Sequence, residues 1–172
     1  MISRRTILCL GGGFVAAQTL GSAKADDGQV EIAMQGRGDG SRVWFDPVGL
    51  LIKPEQTVRW VNRNPGNSHT TTAYNPENFD RPLRMPKGAK SWNSDFLLPG
   101  ESFSVTFSVS GVYDFYCIPH EHAGMVGRII VGSPESSEWL GSAEAEGDLP
   151  DVALKAFPSV DAIMRDHVVR PG

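Results

Sequence analysis

Cys117, His120 and Met125 stand on one short stretch at the spacing Cys-x2-His-x4-Met, and a further histidine, His69, lies 48 residues before the cysteine. A thiolate and two imidazoles in one plane suit both Cu(I) and Cu(II), and a thioether adds a long, weak axial contact that tunes the potential. A site acceptable to both oxidation states rearranges little when an electron moves. Taken singly, each residue has an ordinary explanation. A buried free cysteine is usually an inert small hydrophobe, a methionine beside a strand is usually core, and His69 behind Asn67-Ser68 reads as a loop histidine. Their joint spacing between two apolar runs, 112–117 and 126–131, points instead to copper.

Such ligands need a rigid frame, and the surrounding chain supplies strand patterns. Val30, Ile32 and Met34 alternate with polar residues, as do Phe103, Val105, Phe107 and Val109, which is the periodicity of half-buried strands. Further short runs lie at 50–53 and 57–62. Turn-forming segments (Gly38-Asp39-Gly40, Asn64-Pro65-Gly66-Asn67, Pro99-Gly100, Ser110-Gly111) separate these runs at the spacing of a β-sandwich. Helical periodicity is scarce before residue 133, apart from a short turn expected within 75–94. Apolar neighbours of the cysteine, Phe115, Ile118, Ala123 and Met125, should restrict water around its sulfur.

Residues 133–151 carry acidic side chains and no basic ones. Two short helices are expected after them, 150–157 capped by Asp148 and 160–168 capped by Ser159. Val152, Leu154, Phe157, Val160, Ile163 and Met164 offer an apolar face to pack on the sandwich.

The N-terminus reads as export machinery. Arg4 and Arg5 precede an uncharged, mostly apolar run at 6–20, and Ala23-Lys24-Ala25 is a small-residue cleavage pattern. Ser3-Arg4-Arg5 also fits a twin-arginine signal, although the basic residue that usually follows is missing, which leaves the Sec route open. The expected organisation is a cleaved signal at 1–25, one β domain at 26–132, and an acidic linker with helical extension at 133–172. Removing Arg4, Arg5 and Lys24 leaves thirteen of the sixteen basic residues against twenty acidic ones, a balance of about −7. That balance argues against nucleic acid or an anionic membrane as partner. It also leaves Cys117 as the sole cysteine in an oxidising periplasmic setting, where coordination is a good answer to what protects it. No apolar run long enough to span a bilayer follows residue 25.

Tyr116-Cys117-Ile118-Pro119-His120, continued by Gly124-Met125-Val126-Gly127, resembles the copper loop of plastocyanins, and the His-to-Met gap also suits pseudoazurin. An azurin-like register fails: His122 follows Cys117 by five residues, but Met125 follows His122 by only three, where four are needed. The shorter amicyanin loop does not fit either. The resemblance extends over about residues 30–132, strongest at the loop and weaker at Trp60-Val61-Asn62 and Pro99-Gly100-Glu101-Ser102-Phe103. It implies an all-β cupredoxin Greek-key sandwich with one type 1 (blue) copper, and ligand roles at His69, Cys117, His120 and Met125. One departure stands out. Plastocyanin-like chains commonly carry asparagine after the first histidine, bonded across to the copper loop, and here that position is Thr70. His122 is expected to face solvent near the copper, with competition against His120 for the metal as the alternative, and His167 to be an ordinary tail residue.

The function expected is single-electron shuttling between larger redox proteins, a cytochrome or a copper or haem enzyme, through transient docking at the His120 edge. The acidic surface suggests a partner with a basic docking face. A periplasmic copper carrier or storage protein is the alternative, disfavoured because such sites favour many Met or Cys ligands and this chain has five Met in all. An enzyme with a second copper centre would need more histidines than the four present.

Overall fold

The computed structural model describes residues 28–140 and 148–172, so the expected export signal at 1–25 and the middle of the acidic linker lie outside the described residues. Strands β1 (Gln29–Gly36), β2 (Val43–Asp46), β4 (Gln56–Asn62) and β6 (Ser102–Phe107) form one sheet in the order β2-β1-β4-β6. Strands β3 (Gly49–Ile52), β5 (Thr72–Ala73), β7 (Gly111–Tyr116), β8 (Val126–Val131) and β9 (Val168–Val169) form the other, in the order β5-β7-β8-β3-β9. Pairings β1–β4 and β3–β8 are parallel and the rest antiparallel. From β2 to β7 successive strands thus alternate between the layers, as in a Greek-key sandwich.

The period of two in β1 and β4 sends Ile32, Met34, Val58 and Trp60 inward, to meet Leu50, Ile52, Phe115, Ile129 and Val131 of the opposite sheet. The Trp60 ring stands edge-on to Phe115 at 5.4 Å and packs on Trp92 at 5.8 Å. All six expected strand runs form strands, although β6 stops at Phe107, short of Val109. The short turn expected within 75–94 forms at 76–80, where the Asp80 N–H donates to the Pro76 carbonyl at 3.2 Å, and no α-helix forms in that segment. Strands β2 and β9 were not anticipated.

Helices α1 (Asp151–Ala156) and α2 (Val160–Asp166) cover the outer face of the second sheet. Ile163 of α2 packs on Val112 and Ile130, and Ala153 of α1, with Leu149, packs against Tyr74, Tyr116 and Val126. Every residue of β7 is consequently buried, inward- and outward-facing alike. Gly49 admits α2 at this distance: a Cβ there would stand 2.7 Å from the Ile163 side chain. The extension is fastened at a charged point beneath it. Buried Asp114 pairs with Arg84 at 2.8 Å and Arg128 at 2.7 Å, and the Phe157 ring lies 5.2 Å from each guanidinium. Ser159 caps α2 as expected, its side chain accepting from the Ala162 N–H at 3.1 Å. Asp148 does not cap α1. Pro150 takes the cap position instead, its carbonyl accepting from Ala153 and Leu154, so the helix begins nearer Asp151 than the acidic residue can reach.

Candidate metal centre

His69 sits just before β5 on a segment bridged to Leu97: its N–H donates to the Leu97 carbonyl at 3.1 Å and its carbonyl accepts from the Leu97 N–H at 2.8 Å. The ring is fully buried, with Nε2 3.1 Å from Asn64 Oδ1. The amide oxygen accepts only, so Nε2 carries the hydrogen and Nδ1 is left as a free lone pair. That nitrogen points to Cys117 Sγ at 3.6 Å.

Cys117 closes β7 and opens a 3-10 helix, Ile118–Ala123, with Pro119 in its first turn. Backbone bonds then fold the loop on itself. The Cys117 N–H donates to the Met125 carbonyl at 3.0 Å, and the N–H groups of His120 and Met125 donate to the carbonyls of Cys117 and His120 at 3.0 and 3.1 Å. Gly124, at φ +77°, makes the left-handed turn that closes this latch. His120 Nδ1 thereby comes to 3.3 Å from Cys117 Sγ, and its ring centroid to 4.9 Å from that of His69. The donor atoms of His69, Cys117 and His120 all lie within 4.8 Å of one another. Met125 is fully buried and tied by both its amide and its carbonyl to the same loop.

Two nitrogens and one sulfur converge without a carboxylate oxygen among them. This soft, mixed donor set fits copper and is poor for hard cations. Burial pushes the Cys117 thiol up to about 11, so the metal-free thiol keeps its proton, and the charge of a bound cation is what favours thiolate. Burial, and then the nearby His120, lower His69 to about 4, and burial lowers His120 as well. Both imidazoles are therefore neutral and able to coordinate at neutral pH. Asn67 Nδ2 stands 3.3 Å from His120 Nε2. If His120 coordinated through Nδ1, its Nε2 would carry the hydrogen, and the Asn67 amide would have to present its oxygen to accept it.

Thr70 resolves the departure noted in the sequence. Its N–H donates to Cys117 Sγ at 3.3 Å, and its hydroxyl accepts from the Ile118 N–H at 2.9 Å. The short side chain suffices because the Thr70 backbone already abuts the cysteine. His122 is exposed and outside the donor cluster. His167 is exposed too, but it shapes the chain locally. At φ +62° it ends α2, and its carbonyl accepts from the Leu51 N–H at 2.8 Å.

Residue-type spacing gave no hint of a charged cluster beside the loop. Glu121, between the two loop histidines, is buried and ion-paired with Arg81, and Tyr74 Oη donates to it at 2.7 Å. Burial first, and then that bond to Glu121, hold the Tyr74 phenol far above the ordinary range. No local motif marks these partners, because Arg81 and Tyr74 arrive from the irregular 74–94 excursion.

The family model for copper binding proteins of the plastocyanin/azurin family matches residues 31–132. The plastocyanin of Scenedesmus fuscus is 38% identical over 97 residues, covering 54% of this chain and 91% of its own. The chloroplastic plastocyanin of Chlamydomonas reinhardtii is 35% identical over 129 residues, 73% of this chain and 81% of its own. In fold, the pseudoazurin of Methylobacterium extorquens AM1 superposes with a TM-score of 0.56 at 24% identity, covering 80% of this chain and 98% of that one. Copper is the cofactor that this match and the His-Cys-His cluster support together, and the chain belongs to the plastocyanin/azurin family of copper-binding proteins, blue copper electron carriers rather than enzymes.

Proposed function

We propose that His69, Cys117, His120 and Met125 ligate one type 1 copper, and that the protein shuttles single electrons between larger redox partners after export to the periplasm. The bound ion supplies a one-electron Cu(II)/Cu(I) couple. The protein's own part is geometric. His69 is held by Asn64, the Cys117 sulfur accepts from Thr70, and the 117–125 backbone latch fixes His120 and Met125 in one unit. Holding donors in one arrangement for both oxidation states keeps the rearrangement on electron transfer small. The observation that carries the reading is the convergence of three donors with unequal exposure: His69 and Cys117 are fully buried, whereas the His120 ring is half-buried. An electron therefore has its shortest protein exit at the His120 edge, where a partner docks briefly.

The export reading rests on Arg4, Arg5, the apolar run at 6–20 and Ala23-Lys24-Ala25. The chain divides accordingly into a signal at 1–25, the copper domain at 26–132 and an acidic linker with extension at 133–172. No helix among the described residues is long and apolar enough to cross a membrane.

Adding Cu(II) to the metal-free protein should produce the intense visible absorption of a thiolate–copper bond and the narrow EPR hyperfine splitting of a type 1 site. A colourless product defeats the ligand assignment. Replacing His120 should abolish the band, and His122→Ala should leave it intact. Reversible titration at one electron per copper separates a carrier of electrons from a carrier of the metal.

A further inference from the structure

The Glu121 carboxylate is buried one residue beyond His120, and the residue's own carbonyl accepts from Gly124 N–H at 2.9 Å, inside the turn that delivers Met125. Its counter-ion, Arg81, comes from outside the loop. The Arg81 guanidinium lies over the Tyr74 ring at 5.7 Å and the Tyr116 ring at 5.4 Å, and its buried Nε has no hydrogen-bond partner. Tyr116 directly precedes Cys117, so this guanidinium meets the loop at two points: at its middle through the Glu121 carboxylate and just before its start over the Tyr116 ring.

A surface ion pair would hold the loop little, because water screens it. Here the carboxylate is nearly dry, and removing either partner leaves an uncompensated charge in a low-dielectric region. An unpaired charge of either sign on the residue next to His120, or on its partner, would bias the oxidation state of a bound copper ion: a negative one favours Cu(II), a positive one Cu(I). Together the two nearly cancel.

We propose that Arg81 and Glu121 form a charge-balanced brace for the copper loop, positioning residues that hold His120 while sparing the metal the field of either charge alone. The proposal rests on the copper reading above. It assigns to Arg81 and Glu121 a role toward the metal that a purely mechanical contact would not have.

The deciding measurement is the reduction potential of the copper-loaded protein and its E121Q, R81Q and E121Q/R81Q variants, with thermal melts of the copper-free forms alongside. The E121Q substitution preserves the side chain's shape and an acceptor for Tyr74, and leaves Arg81 unbalanced. E121Q should raise the potential and R81Q should lower it, each shifting the Cu(II)/Cu(I) equilibrium on the order of tenfold. The double variant should return most of the way to the wild-type value, although its metal-free form melts lower. Either single variant decides by its sign if the other fails to fold. Shifts of the same sign in both, or no shift beyond twofold in a variant whose stability has fallen, would overturn the proposal and leave a structural contact. A wild-type protein without the thiolate–copper band would instead sink the copper reading, so the two failures are distinct.

Discussion

Thr70 serves the copper loop from two atoms at once, its N–H on the Cys117 sulfur and its hydroxyl on the Ile118 amide. Thr70→Val keeps the first bond and deletes the second, stranding a part-buried N–H. A loss of about 1–3 kcal/mol is expected in denaturant melts, with a shifted copper potential. Thr70→Ser should restore both, and equal behaviour of the valine and serine variants would contradict this account. His69 gives the metal-free protein a pH dependence of definite sign. Its folded value of about 4 lies below the ordinary 6.5, so on acidification the unfolded chain takes up the proton first. The stability this residue contributes is complete above pH 6.5 and is lost as pH falls towards 4, by about 3 kcal/mol in total. Melts of the metal-free protein across that range check it. A curve flat in pH, or steeper in His122→Ala than in the parent, would not fit. At this scale the ligand types and their loop spacing were legible from sequence, since three of the four sit within nine residues of one another. The partners Asn64, Asn67, Arg81 and Tyr74 were not, because only the folded chain brings them to the loop.

At the scale of elements, the 148–172 extension does more than coat the sandwich. Its strand β9 extends the second sheet beside β3, and α1 presses on the copper loop at Gly124, where an added Cβ would meet Val152 at 3.3 Å. Phe157 is the fastening, between two guanidiniums and edge-on to Tyr74 at 6.0 Å. Phe157→Ala should cost about 2–4 kcal/mol and raise amide hydrogen exchange in the 3-10 helix Ile118–Ala123. Unchanged exchange there would mean that α1 does not brace the loop. Strands β1, β3, β4, β6, β7 and β8 were readable because alternation or continuous apolar runs mark them. Strand β9 escaped because two residues carry no period, and its identity comes from hydrogen bonds to a strand more than a hundred positions earlier. Strand β2 is four residues between turn-rich segments, too short for a local pattern to declare itself. Asp148 failed as a cap because proline at 150 took that place.

The whole molecule is acidic, with a net charge of −4 that becomes about −7 without residues 1–25. Opposite charge on a partner would hasten encounter over a range set by the Debye length, about 8 Å at physiological salt. Bimolecular electron-transfer rates with a basic redox partner should therefore fall as ionic strength rises. Rates independent of salt, measured by stopped flow, would leave apolar contact around His120 as the sole docking force. The parallel pairings β1–β4 and β3–β8 join distant parts of the chain, so the fold closes through non-local contacts and is expected to form slowly.

That closure has an order in time. Synthesis runs from the N-terminus, so His69, Cys117, His120 and Met125 all emerge before Phe157, and the outer face of the second sheet waits for the residues that will cover it. A chain halted before residue 148 would carry every proposed copper ligand but lack the Leu149, Ala153 and Ile163 side chains that pack over Tyr116, Val126 and Ile130. The cover of that outer face thus belongs to the last-made segment, and a chain halted before it should aggregate more readily than the whole protein.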